Sequence, residues 1–193
     1  LSVDTFDKNG NFYGSSIVVI KKSSIGTNSL VAKVFYGILR ASAFVAPADN
    51  FDSNPSFGYL INSSNNQYPS STIYNKLYFY RIINPGSTNP TLSPLITITV
   101  PNYTDPANAP YKGNLFGSAA YLQTSGSPMV ACHVRKKQLY ACHNIQVNQL
   151  GVASLSGNRV GVRWYQFDLT GDTTGRGLGT ETSTKMPVLI QSG

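Results

Sequence analysis

The 193-residue chain is long enough to bury a hydrophobic core, as one large domain or two small ones. Only 12% of its residues are charged, and the net charge of +7 comes from 15 Lys and Arg against 8 Asp and Glu. Because acids are scarce and the largest basic cluster is only Arg135–Lys137, the charge pattern does not favour nucleic-acid binding. No apolar run approaches the ~20 residues of a membrane-spanning helix.

Turn-forming and aromatic residues are abundant, with 17 Gly, 11 Pro and 12 Tyr. This composition suits short strands joined by tight loops, and no amphipathic helix pattern stands out. In chain order, alternating polarity predicts strong strands at residues 15–23, 75–84 and 161–169, each followed by a polar connection and a second strand. Further strands are predicted between them, at residues 42–50, 57–64, 117–124, 128–135 and 138–145.

These strands form an internal repeat of meanders, which is typical of β-propeller blades. The sequence therefore predicts an all-β fold, a β-propeller segment of about two and a half four-stranded antiparallel blades. Residues 1–40 are expected to form a partial blade of outer strands, and residues 41–114 a blade with long loops. Residues 115–193 are expected to form a blade with an inserted Gly/Thr-rich loop. All three belong to one propeller domain. Closed propellers have about four to eight blades, so we expect further sheets to complete the ring.

The C-terminal third carries a family resemblance in three stretches: RKKQLYACHNIQV, GVRWYQFDLTG and PVLIQSG. They resemble the blade series of large secreted bacterial β-propeller proteins of mostly unassigned function, in which a blade reads R-N-G-x-L-W-x-A-H and then V-R-W-Y. Sialidase-like six-bladed propellers are the broader architectural relatives. The chain departs from the series at Lys136 and Lys137, which replace an Asn-Gly turn, and in the long insert before the last strand, which is expected to project from the blade edge. The resemblance implies a propeller fold and an exported location, and it implies no activity.

Two Cys-His dipeptides flank the predicted hairpin, and they raise a zinc site as one hypothesis. Geometry disfavours it, because neighbouring strand residues such as Cys132 and His133 point to opposite faces of a sheet. A two-residue loop at Lys136 and Lys137 would pair Cys132 with Ala141 and leave both cysteines as free thiols. A three-residue or bulged loop would pair Cys132 with Cys142 and permit a disulfide, so both states remain open.

Three residues are candidate contacts for a ligand or for the propeller channel: His143, Tyr140 and Arg163. The resembling proteins often carry a histidine at the position of His143, which implies a packing or central-channel role for it.

The N-terminal stretch DTFDKNGNFYG gathers four residues with oxygen-bearing side chains that calcium prefers: Asp4, Asp7, Asn9 and Asn11. Its glycine falls too early for an EF-hand loop, and an Asn-Gly hairpin turn explains the stretch more simply. We therefore expect no cofactor, with calcium as the one possible exception.

Two catalytic arrangements, a serine-protease triad and a glycosidase pair of carboxyl groups, are incomplete in the sequence. Ser127 lies in a stretch that echoes the serine region of chymotrypsin-like proteases, where the catalytic His precedes the Ser, but His133 and His143 both follow it. Glycoside hydrolysis needs two spaced carboxyl groups, and the only glutamate, Glu181, lies in the Gly/Thr-rich insert. No catalytic residue is predicted, and a non-enzymatic function is favoured.

The sequence thus predicts a non-enzymatic binding or interaction scaffold, part of an exported β-propeller that recognises a protein or a glycan through its rim loops. Low charge, abundant Asn, Ser and Thr, and few cysteines favour a secreted or cell-surface bacterial protein. The first residue is Leu, so we expect a trimmed N-terminus. The expected partner is the rest of the propeller, from the same polypeptide after cleavage or from another chain. The alternatives are a fragment of a sialidase-like glycan-processing enzyme whose catalytic residues lie on absent blades, and a self-contained β-sandwich adhesin domain.

Overall fold

The computed structural model describes residues 1–39, 44–53, 55, 57–63, 73–110, 121–170 and 188–193. In these ranges the protein is all-β, which confirms the predicted class. The only helical element within them is a single 3-10 turn, Lys22–Ser24. The predicted Gly/Thr-rich insert spans residues 168–187, and its part from residue 171 onward, with Glu181, lies outside the described residues.

The first sheet, sheet A, is an antiparallel meander in the order β1-β2-β3. Its strands are β1 (Ser2–Phe6), β2 (Phe12–Ile20) and β3 (Ala32–Leu39). The β1–β2 hairpin turns on Asp7, whose carboxylate accepts the backbone N–H groups of Asn9 and Asn11 at 2.8 Å each. Gly10 supplies the left-handed backbone with φ of 82°.

Sheet B follows in the chain and is also a meander. Its strands are β4 (Ala46–Pro47), β6 (Phe57–Ser63), β7 (Tyr74–Ile83), β8 (Thr91–Leu92) and β9 (Ile96–Tyr103). The long strand β7 pairs with β6 on one side and with both β8 and β9 on the other. Sheet B therefore has four rows of strands that follow one another in chain order.

Sheet C has the order β15-β14-β13-β12-β5. Its strands are β5 (Asp49–Asn50), β12 (Met129–Arg135), β13 (Gln138–Val147), β14 (Arg159–Asp168) and β15 (Val188–Ser192). Strands β12 to β15 form an antiparallel meander, and β5 adds to β12 in parallel. A separate short pair joins β10 (Ala109–Pro110) and β11 (Tyr121–Leu122).

The sequence allowed either a two-residue turn or a longer one at the tip of the β12–β13 hairpin. The structure has the two-residue turn, because Arg135 pairs with Gln138. Lys136 and Lys137 both adopt left-handed backbone, with φ of 52° and 56°. This is the geometry of a type I′ turn, which normally favours Asn-Gly. The carboxylate of Asp52 accepts the backbone N–H groups of both lysines, at 2.7 Å for Lys137. A distant acid thus stabilises a turn whose own residues disfavour it.

The three sheets stack in the order A, B, C, with sheet B in the middle. Apolar side chains of β2 and β3 pack against one face of sheet B, around Leu60. The other face of sheet B packs against sheet C, where the rings of Phe79 and Phe167 lie 4.9 Å apart. Leu60 is 1% exposed and its neighbour Ile61 is 0% exposed. Since neighbouring residues on a strand point to opposite faces, sheet B is buried on both of its faces.

Candidate functional site

The first strands of the three meanders come together along one open cleft of about 850 Å³. One wall is the start of β1, the second is the segment that carries β4 and β5, and the third is β12. The residues that line the cleft include Asp4, Phe44, Asp49, Phe51, Val130 and His133. The chain thus brings residues from three distant segments to a single concave surface.

Asp4 fixes the first wall to the second. Its carboxylate accepts a hydrogen bond from Ser15 Oγ at 2.7 Å and from the backbone N–H of Phe44 at 3.2 and 3.3 Å. Phe44 adopts a left-handed backbone with φ of 63°, which is uncommon for a bulky residue. Asp4 holds the N–H of this strained residue, so the exposed Phe44 ring is presented at the cleft.

The second wall meets the third through β5, which pairs in parallel with β12 and places Asp49 beside His133. The Phe51 side chain is 69% exposed and meets the His133 ring edge-on, with ring centroids 6.3 Å apart. His133 in turn stacks on Tyr140 at 5.3 Å. A row of three rings therefore runs from the cleft mouth onto the outer face of sheet C.

The charge of the cleft differs from that of the whole chain. Its described lining includes the carboxylates of Asp4 and Asp49 and no Lys or Arg side chain, although the chain carries a net charge of +7. Burial raises the pKa of the Cys132 thiol at the cleft floor, and the neighbouring charge of Asp49 adds to the shift. Exposed aromatic rings beside a few hydrogen-bonding groups suit the binding of a ligand more than covalent chemistry.

Two of the three predicted contact residues lie together, because His143 and Arg163 are direct partners across β13 and β14, whereas Tyr140 is apart from them. Tyr140 lies on the outer face of sheet C, and Arg163 donates from Nη1 to the backbone carbonyls of Pro101 and Asn102, at 2.9 and 2.7 Å. His143 is fully buried between sheets B and C. None of the three is among the described residues that line the cleft.

His143 is the centre of a buried polar cluster. Its Nδ1 lies 3.0 Å from the backbone carbonyl of Ser127, and its Nε2 lies 2.9 Å from the Tyr165 hydroxyl. Because a carbonyl only accepts, Nδ1 carries the proton and Nε2 accepts from Tyr165. Burial is the main cause that lowers the pKa of His143, to about 4. His143 bonds the Ser127 carbonyl and not its hydroxyl, so the two residues are not arranged as nucleophile and base.

The cysteines occupy opposite faces of sheet C and are free thiols. Cys132 pairs with Ala141 across the hairpin, and Cys142 pairs with Ala131. This is the arrangement expected from the two-residue turn, and it rules out a disulfide between them in this structure.

The four residues predicted as calcium ligands are separated. Asp4 lies in the cleft wall, whereas Asp7, Asn9 and Asn11 form the β1–β2 turn. In that turn Asn11 Nδ2 donates to the Asp7 carboxylate at 2.9 Å. Hydrogen bonds, first that of the Asn11 side chain, lower the pKa of Asp7. Within the described part of the chain, no three His, Cys, Asp or Glu side chains are grouped so that they could hold a metal ion.

Sequence reasoning missed Phe44, Asp49 and Phe51 as site residues. The segment VAPADNFDSNP has the Pro, Asp and Asn content of a turn. Phe44 directly before it and Phe51 within it are the only signal that it could present rings to solvent. The cleft itself depends on β1 and β12 approaching this segment, which no local pattern encodes.

Comparisons with known proteins found no family model, no curated protein and no solved structure that matches this chain. In the described ranges, no helix has the length and apolar character needed to cross a membrane. The fold and the cleft are therefore the basis for any functional assignment.

Proposed function

We propose that this chain is a segment of an exported bacterial β-propeller and acts as a non-enzymatic binding scaffold for a protein or a glycan. The observation that carries the proposal is the convergence of the first strands of three stacked sheets on one open cleft. In a propeller, the sheets are arranged radially around a central channel. The cleft would be part of that channel, and ligands would bind at its mouth.

The stacking of the sheets supports this architecture. Sheets B and C are both meanders with at least four rows of strands, and sheet B lies between two neighbours as a blade does. A β-sandwich consists of two sheets that each bury one face. A middle sheet buried on both faces favours a longer stack over a self-contained sandwich domain.

The lining of the cleft supports binding. Phe44 and Phe51 are exposed aromatic rings held in place by Asp4 and by contact with His133. Rigid aromatic groups give large contact area at a small cost in conformational entropy, and Asp49 and His133 add hydrogen-bonding groups beside them. Both sugar rings and protein side chains are recognised by such combinations.

Binding to a glycan array, followed by titration of each retained glycan or of a protein ligand, tests the proposal. We expect Phe51→Ala to weaken binding at least about tenfold, because it removes the most exposed ring at the cleft mouth. Phe6→Ala is the matched control, since Phe6 is also exposed but lies at the β1–β2 hairpin, away from the cleft.

Equal loss of binding in the two variants would place the ligand elsewhere. Turnover of a bound glycan, seen as released sugar in the same titration, would favour the sialidase-like enzyme over the binding scaffold.

A further inference from the structure

The two end sheets of the stack carry apolar residues on their outer faces. On sheet C these residues are Tyr140, Cys142, Val160, Val162 and Trp164, which we call the C face; Val162 is 64% and Trp164 41% exposed. On sheet A they are Val3, which is 51% exposed, and the half-buried Val18, Ile20 and Val34, which we call the A face. Aromatic rings are present on the outer sides of both sheets, Tyr36 on sheet A and Trp164 on sheet C.

Strands with apolar residues on both faces are typical of sheets that are covered on both sides. Sheet B shows this within the same chain, because its two faces are buried by sheets A and C. In β14, Tyr165 and Phe167 are buried on the inner face, whereas Val162 and Trp164 lie on the C face. Apolar side chains grouped on the outer face of a sheet are typical of an interaction site.

We propose that two copies of this chain pair so that the A face of each covers the C face of the other. One chain carries both faces, at opposite ends of its stack, so a twofold pair covers both pairs of faces. The contact continues the stacking that already joins A to B and B to C. Two stacks of three sheets make six, within the range of about four to eight in closed propellers. The inference rests on the proposed propeller architecture.

The pair would also complete the cleft. The first strand of every sheet borders the cleft in one copy, so continued stacking around the same axis would place the two clefts opposite each other. The second copy would thus contribute residues to the ligand site of the first.

The only tryptophan and one of the two cysteines lie on the C face, as the cross-strand pair Trp164 and Cys142, so the unmodified protein reports the contact. From about 1 to about 200 µM we expect the mass by light scattering to rise from 20.9 kDa to twice that value. Over the same range Trp164 emission should shift to shorter wavelength, and labelling of Cys142 by a thiol reagent should slow. Cys132 is already buried in the single copy, so its labelling should be slow at every concentration.

Two variants test the geometry. Val162→Lys places a charge on the C face and Val3→Lys places one on the A face, and each alone should remain a monomer. Val152→Lys is the matched control, because Val152 is exposed in the β13–β14 connection, and it should dimerise as the unaltered protein does. Circular dichroism establishes that each variant is folded.

Mixing the two monomeric variants gives the decisive result. In a mixed pair one of the two contacts carries both lysines and the other keeps both native faces, so partial dimerisation should return, at least about tenfold weaker than in the unaltered protein. Loss of dimers in Val162→Lys but not in Val3→Lys would mean that the C face pairs with itself, and would overturn the proposed geometry.

A chain that stays monomeric at about 200 µM, with Trp164 exposed and Cys142 reactive, would overturn pairing with a second copy. The propeller proposal would survive that result, with other polypeptide covering the faces. Conversely, dimers that bind no ligand at the cleft would overturn the binding function and leave the pairing intact.

Discussion

At the scale of single residues, His143 shows how the core accommodates a polar side chain. Both ring nitrogens have partners, the Ser127 carbonyl and the Tyr165 hydroxyl, and the Tyr103 ring packs edge-on at 4.6 Å. Every one of these contacts is compatible with the neutral imidazole, and Nε2 cannot accept from Tyr165 once it is protonated. The folded protein therefore disfavours the charged form.

This predicts a specific pH dependence of stability. The pKa of His143 is lowered from 6.5 to about 4 in the folded state, so the unfolded chain binds a proton that the folded chain does not between these values. The contribution of His143 to the free energy of unfolding is complete above about pH 6.5 and declines towards pH 4, by up to about 3 kcal/mol. Urea unfolding at a series of pH values measures it.

The two histidines provide a matched pair for this test. His143→Gln should flatten the pH dependence between pH 6.5 and 4, whereas His133→Gln should leave it in place, because His133 is exposed at the cleft. If the free energy of unfolding of His143→Gln declines between pH 6.5 and 4 as it does in the unaltered protein, groups other than His143 cause the decline.

At the scale of elements, the β12–β13 hairpin depends on a residue far away in the chain. Asp52 and Lys136 are separated by 84 positions, yet the Asp52 carboxylate accepts the backbone N–H of Lys136. This hydrogen bond and the one from Lys137 stabilise the turn. Left-handed backbone costs about 1–2 kcal/mol for each residue that carries a side chain. The turn is therefore formed against local preference, and the loop that contains β5 is tied to sheet C as a result.

The turn can be tested by changing its residues or its partner. Lys136→Asn with Lys137→Gly should raise the free energy of unfolding by about 1 kcal/mol, because these residues favour a type I′ turn. Asp52→Ala should lower it by about 1–2 kcal/mol. Asp168→Ala is the control, since among described residues the Asp168 carboxylate bonds only its near neighbour Thr170. It should lower the free energy of unfolding by less than Asp52→Ala does. Equal costs for the two acids, measured by urea unfolding, would contradict this role of Asp52.

At the scale of the whole molecule, we expect the three sheets to unfold together, because sheet B packs against both sheet A and sheet C. Leu60 contacts the sheet A side and Phe79 the sheet C side, and both are buried. Stability therefore depends on both interfaces at once. A chain of independent hairpins would lack this dependence.

Replacing either residue by alanine should lower the free energy of unfolding. Leu60→Ala should reduce the free energy of unfolding by about 2–5 kcal/mol and Phe79→Ala by about 3–5 kcal/mol, each with a single transition by fluorescence and circular dichroism. Leu150→Ala, at an almost fully exposed loop position, should change it by less than about 0.5 kcal/mol. A small cost for Leu60→Ala alone would mean that sheet A does not pack on sheet B in solution.

Several elements were predictable because their signals are local. The strands predicted at residues 75–84 and 161–169 are observed as Tyr74–Ile83 and Arg159–Asp168. The strand predicted at 15–23 begins earlier, at Phe12, and ends at Ile20, because Lys22–Ser24 turns into a 3-10 helix. Alternating polarity locates a strand well, and the ends depend on turns and pairing partners.

The candidate site was much less predictable. His143 was expected in a packing or channel role, and only its burial between two sheets and its two hydrogen bonds show where it lies. Phe51 and Asp49 carry only the weak signal of an aromatic residue in a turn-like segment, because their importance comes from strand β12, which follows almost eighty positions later in the chain.

The all-β class, the positions of the main strands and the alternation of their faces can be derived from local patterns in the chain. These follow from the period of two along a strand and from turn-forming residues, both of which act over a few neighbouring positions. Which faces meet and which strands border the cleft became known from the folded arrangement of the described residues. Those outcomes depend on contacts between residues far apart in the chain, as Asp52 and the Lys136–Lys137 turn illustrate.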